Sequence, residues 1–123
     1  MKDTTKVIRE ALERMENEVS YYQTALDEAE ALVSEIESLE TLEDVFYFQN
    51  REYSSDFNTL DQFIEHCEGV ITAEEIVAGM IENAHMNVCP SLFDDNAMLT
   101  KWDCINRIQS IESMIDKMKH KYL

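Results

Sequence analysis

Between Lys6 and Leu39 the apolar residues recur at alternating steps of four and three: Ile8, Leu12, Met15, Val19, Tyr22, Leu26, Ala29, Val33 and Ile36. Such steps keep side chains on one face of an α-helix, and the stretch holds neither Pro nor Gly, so it predicts one long helix. At helical rise it would run about 50 Å. A helix with this seam bare would not stay dispersed in water, so the rest of the chain or a second copy must cover it. Ala11, Ala25, Leu32 and Leu39 widen the stripe. The added width suits a packed bundle better than an isolated two-stranded coil.

The remaining composition agrees with an all-α chain. Only 2 Gly and 1 Pro occur among 123 residues, too few for the turns of a hairpin-rich β architecture. One domain spanning 1–123 is expected at this length. It reads as a bundle of five helices over residues 4–40, 41–52, 55–68, 72–88 and 95–122, the two long end helices pairing antiparallel. Thr4 or Thr5 can cap the first and Ser54 or Ser55 the third. Gly69 stops the third helix, and Thr72-Ala-Glu-Glu75 has the form of a capping box opening the fourth. Pro90 ends that helix near Cys89. Residues 89–95 form a loop with Leu92 and Phe93 turned inward. The last helix begins near Asn96 and repeats the four-three rhythm at Cys104, Ile108, Ile111, Ile115, Met118 and Tyr122, with Met98, Trp102 and Ile105 as a parallel stripe. The first helix would overhang the last by about ten residues, or about 15 Å.

Three cysteines, Cys67, Cys89 and Cys104, are no disulfide framework and predict a reducing compartment, the cytoplasm. Residues 1–9 are polar and charged, unlike a secretory leader, and no apolar run approaches the length of a membrane span.

Charge is the strongest compositional signal: 26 acids against 10 bases, a net of −16. Direct binding to nucleic acid or to an anionic membrane is disfavoured, since neutralising phosphate requires Lys and Arg. The imbalance is concentrated: residues 1–40 carry a net of −7, residues 41–96 a net of −11 and residues 97–123 a net of +2. The middle segment supplies Glu43, Asp44, Glu52, Asp56, Asp61, Glu65, Glu68, Glu74, Glu75 and Glu82 with Arg51 as its one base. Carboxylates spaced along helices can imitate a phosphate array and occupy the basic groove of a nuclease or another nucleic-acid-binding protein.

Other constellations are weaker. His66, Cys67, His85, Cys89 and Cys104 have metal-ligand character but lack a Cys-x-x-Cys pair. Glu82-Asn-Ala-His85 is a single copy of a spacing that di-iron bundles use twice. Glu40, Glu43, Glu65 and Glu68 could mimic the carboxylate set of an all-α magnesium-dependent nucleotide hydrolase. Two Gly leave no phosphate loop, and no nucleophilic triad has recognisable flanks. The sequence therefore favours a non-enzymatic, cofactor-free interaction protein of inhibitor or immunity type, whose acidic segment binds a basic protein. The alternatives are a helical chaperone or coiled-coil adaptor, or a homodimer, using the seam Ile8, Leu12, Met15, Val19, Tyr22, Leu26, Val33 and Ile36, and the magnesium-dependent hydrolase.

Overall fold

The computed structural model describes residues 2–53 and 56–123. Among them the chain forms, in order, α1 (Lys2–Glu37), α2 (Leu42–Glu52), α3 (Leu60–Cys67), α4 (Ala73–Met86), a short pair of strands β1 (Cys89–Pro90) and β2 (Met98–Leu99), and α5 (Lys101–Tyr122). The architecture is the all-α bundle predicted from the periodicity. The chain divides into two compact units: one runs to Glu30 and resumes at His85, and the other is Ala31–Ala84.

In the first unit α1 and α5 pack antiparallel. Glu30 meets Lys101 at 2.9 Å, Tyr22 meets Arg107 at 3.1 Å and Glu16 meets Lys119 at 3.5 Å, so positions rise along one helix as they fall along the other. Between them lie Tyr22, Leu26, Cys89, Leu99, Cys104 and Ile108, all buried, flanked by half-buried Val19, Ala25, Val88, Ile105 and Ile111. The core thus joins the α1 seam to the α5 seam. Tyr22 is fully buried, and its hydroxyl oxygen accepts a hydrogen bond from Arg107, whose guanidinium also stands 5.8 Å from the ring centre. A buried phenol without that partner would lose about 1–3 kcal/mol. The solvent-exposed ion pairs contribute at most about 1 kcal/mol each and serve mainly to keep register.

β1 and β2 pair antiparallel, Cys89 opposite Leu99 and Pro90 opposite Met98. The turn between them is organised around Ser91, the one buried polar residue among the described residues, whose hydroxyl accepts from the backbone N–H groups of Phe93 and Asp94 at 3.2 and 3.3 Å. With Ser91 turned in, Leu92 and Phe93 point outward, contrary to the inward orientation their hydropathy predicts; Phe93 is 76% exposed. The stripe Met98, Trp102 and Ile105 is likewise not one helical face. Met98 lies in β2, Trp102 is exposed and only Ile105 packs against the core.

α5 starts at Lys101, later than its apolar rhythm suggests, because Thr100 caps it. Thr100 Oγ1 accepts from Asp103 N–H, and the Asp103 carboxylate accepts from Thr100 N–H, both at 3.1 Å. Thr4 and Thr5 lie inside α1 rather than capping it. α5 ends at Tyr122, soon after the Glu16–Lys119 pair, and beyond it the start of α1 leaves Val7 exposed and Ile8 half-buried.

In the second unit the core is aromatic. Val45, Phe46, Phe63 and Cys67 are buried, with Leu42, Phe57, Leu60, Ile76, Val77 and Met80 packed against them. Phe63 touches both Phe46 and Phe57, ring centres 5.6 Å apart in each case. Burying one such ring contributes on the order of 2 kcal/mol.

Each helix here has a polar start. Thr41 and Asp44 form a reciprocal capping box, and Thr59 accepts from Gln62 N–H at 3.2 Å. Thr72 accepts from Glu75 N–H at 3.2 Å while its hydroxyl donates to the Glu75 carboxylate. α3 opens at Leu60 under Thr59; Ser54 and Ser55, expected as its caps, lie outside the described residues. α3 closes at Gly69, whose φ of 77° lets the Cys67 carbonyl accept from both Val70 and Ile71 N–H at 2.9 Å. No described helix is long and apolar enough to cross a membrane.

The capping box of α5 generates a direct test. Thr100→Ala removes the acceptor for Asp103 N–H and should lower unfolding stability by about 1 kcal/mol. Urea denaturation measures it, and an unchanged midpoint would show that the cap does not hold the start of α5.

Candidate functional site

All ten carboxylates expected to form a partner surface fall in the Ala31–Ala84 unit, and all ten residues are exposed. That unit holds thirteen acids against one Lys or Arg, a net of −12; the rest of the chain holds thirteen against nine, a net of −4. Three quarters of the net charge thus belongs to one compact unit.

The structure divides these acids by task. Glu43 and Asp44 occupy the first turn of α2, Asp61 that of α3, and Glu74 and Glu75 that of α4. There a negative charge meets unsatisfied backbone N–H groups and the positive end of the helix dipole. Asp44 shows the effect most clearly. Its carboxylate accepts from Glu40 N–H at 3.1 Å and Thr41 N–H at 3.2 Å, and these backbone bonds hold its pKa below the usual Asp range. Glu52 has a different task. It accepts from Arg51 Nε at 3.1 Å, and a second Arg51 nitrogen bonds Glu35. The unit's one strong base, also 5.5 Å from the Phe48 ring, is therefore taken by two carboxylates of its own unit.

The other eleven acids of the unit, with Asp56, Glu65, Glu68 and Glu82 among them, have no Lys or Arg there to neutralise them. The fields of carboxylates left without counter-charge add over the surface of the unit. What the arrangement can do chemically is attract cations and repel phosphate.

The metal-ligating types are dispersed. Among the described residues no three of His, Cys, Asp and Glu are grouped to hold a metal ion. Glu40, Glu43, Glu65 and Glu68 accordingly do not assemble the carboxylate set considered for a hydrolase. His66 is exposed and stacks obliquely on Phe57, ring centres 5.0 Å apart. Cys67 is buried in the aromatic core, and burial pushes its thiol pKa up. The ring of His85 meets Glu30, Nε2 to Oε1 3.8 Å, and the edge of Trp102. Hydrogen bonding from Lys101 is the main cause holding the Glu30 pKa low. Only Cys89 and Cys104 come together, their sulfurs 3.4 Å apart.

Along the seam Leu12, Tyr22, Leu26, Val33 and Ile36 are buried and Ile8, Met15 and Val19 half-buried. A partner helix using this face would have to displace packing that already exists. Sequence reasoning named the acids and both cysteines but not the role of Ser91, of Arg107 or of Glu30. Those roles depend on which residues the fold brings opposite, for which no local spacing is a signal. No protein-family model, curated protein or solved structure matches the chain.

The pKa of Asp44 sets a pH dependence. A carboxylate whose folded pKa is depressed stabilises the fold fully above its unfolded value, and that stability is lost as pH falls through the folded value. Asp44→Asn should therefore be less stable than the parent at about pH 7, and the gap should shrink at about pH 2, as falling pH favours protonation of the Asp44 carboxylate. Parallel urea melts at the two pH values test this, and a gap that persists undiminished at the lower pH contradicts it.

Proposed function

We propose that the chain is a non-enzymatic interaction protein whose Ala31–Ala84 unit binds a basic protein partner. The carrying observation is the charge of that unit, thirteen acids to one base, with the base already engaged by Glu35 and Glu52. An acidic face without internal counter-charge gains most from a partner rich in Lys and Arg, and the same face repels nucleic acid. Nucleases and other nucleic-acid-binding proteins carry such basic grooves, so the function we assign is inhibition or immunity by occupying a groove of that kind. The aromatic core beneath α2, α3 and α4 is the rigid support that keeps the carboxylates in place. Three free thiols suit a reducing compartment such as the cytoplasm.

A contact of this type is electrostatically steered, so its association rate should fall steeply as salt rises from about 50 to 500 mM. Capture from nuclease-treated cell lysate on the immobilised chain, followed by binding kinetics with whatever basic protein is retained, measures this. Glu65→Lys, Glu68→Lys and Glu82→Lys combined should slow association by at least about tenfold, whereas Glu112→Lys with Asp116→Lys on α5 should change it little. Equal association by both variants, or rates indifferent to salt, would overturn the assignment.

A further inference from the structure

Cys89 and Cys104 are the two thiols that α5 and the strand pair bring together. Cys89 is the first residue of β1, held by the ladder opposite Leu99, and Cys104 lies in the first turns of α5 below the Thr100 cap. Their sulfurs stand 3.4 Å apart in the core, at the van der Waals separation of two thiols sharing a hydrogen. A disulfide would bring the two sulfurs to about 2 Å. Cys89 has a second neighbour that Cys104 lacks: a cleft of about 560 Å³ along α1, lined by Ser20, Tyr21, Thr24, Glu28, Val88 and Cys89. The Tyr21 hydroxyl donates to the Pro90 carbonyl at 3.1 Å and fixes the rim beside Cys89.

We infer that Cys89 and Cys104 form a dithiol site that a low-molecular-weight disulfide oxidises, entering through the cleft beside Cys89. In the first step the Cys89 thiolate attacks one sulfur of the small disulfide RSSR. A bond forms between Cys89 and that sulfur, the RS–SR bond breaks, and one RS⁻ leaves carrying the electron pair. In the second step the Cys104 sulfur, having given up its proton, attacks Cys89 Sγ. The Cys89–Cys104 bond forms, the mixed disulfide breaks, and a second RS⁻ leaves. The two thiol protons end on the two departing thiolates, and the small disulfide has taken two electrons from the protein.

The order of events follows from position. Cys104 is fully buried, and desolvation, followed by its hydrogen bond with Cys89, pushes its pKa up to about 12, so it is a poor first nucleophile and meets no solvent. Cys89 lines the cleft and takes the first attack; Cys104 then resolves an adduct already placed beside it. The bond closes a loop from 89 to 104 that carries the exposed apolar side chains of Leu92, Phe93, Met98 and Trp102. Oxidation ties the base of that loop to α5 and narrows the positions the four side chains can take.

The test treats the whole native chain with oxidised glutathione, blocks remaining thiols by alkylation under denaturing conditions, and maps the peptides by mass spectrometry. The expected result is loss of two of the three alkylatable thiols. They should be recovered as a Cys89–Cys104 linked peptide pair short of two hydrogen atoms and restored by dithiothreitol, with Cys67 still alkylated. Cys104→Ala should trap glutathione on Cys89, while Cys89→Ala should leave Cys104 unmodified. Three alkylatable thiols in the treated parent chain, a glutathione adduct on the parent that persists, or a linkage through Cys67 would each overturn the inference, whether or not the variants fold.

Discussion

The first unit depends on covering one face of α1. An apolar stripe along a long helix has to be buried, and the side chain at its centre, Tyr22, is fully enclosed against Cys104 and Ile108 of α5. The phenol combines a large apolar ring with one polar atom, and Arg107 supplies the donor that this atom requires. The same guanidinium stands 5.5 Å from the outward-turned ring of Phe93, so one side chain connects the buried core to the turn at Ser91. The antiparallel direction of α5, the closure of the β1–β2 pair and the meeting of Cys89 with Cys104 all follow from that packing.

The second unit solves a different problem, how to remain folded while carrying a net of −12. Like charges repel and work against a compact state. Part of the answer is placement. Glu43, Asp44, Asp61, Glu74 and Glu75 sit where helix starts present N–H groups, so these charges stabilise the helices they begin. The other part is the core of Phe46, Phe57 and Phe63, a run of ring contacts that favours the compact state against that repulsion. Of the carboxylates left over, Glu35 and Glu52 hold Arg51, while Asp56, Glu65, Glu68 and Glu82 are the ones we propose to lie nearest a partner.

Much of the fold was legible because helices announce themselves locally. The four-three spacing from Ile8 to Ile36 located α1, Gly69 located the end of α3, and Thr72 with Glu75 located the start of α4. The start of α5 was misplaced because its capping box ends in Asp103, where the familiar pattern ends in Glu or Gln, and because Met98 continued the apolar rhythm backward into what is a strand. Leu92 and Phe93 were expected inside on hydropathy alone; in the connection between β1 and β2 it is Ser91 that turns in, where its hydroxyl satisfies two backbone N–H groups. All ten acids of the candidate site are exposed, but a sequence writes Asp44, bound to its own helix start, and Glu65, free of such a duty, in the same alphabet. Cys89 and Cys104 lie fifteen positions apart, and only the return of the chain through β1 and β2 makes them neighbours.

We propose that the carboxylates of residues 31–84 without local duties are the ones that meet a partner. Zero-length carbodiimide coupling joins a carboxylate to a lysine amine only where the two touch, so coupling the chain to a captured basic protein and mapping the linked peptides reads the contact directly. Links are expected from Asp56, Glu65, Glu68 or Glu82 to partner lysines, with Asp44 protected by its backbone bonds. Links confined to Glu10, Glu13, Glu112 or Asp116 would contradict it.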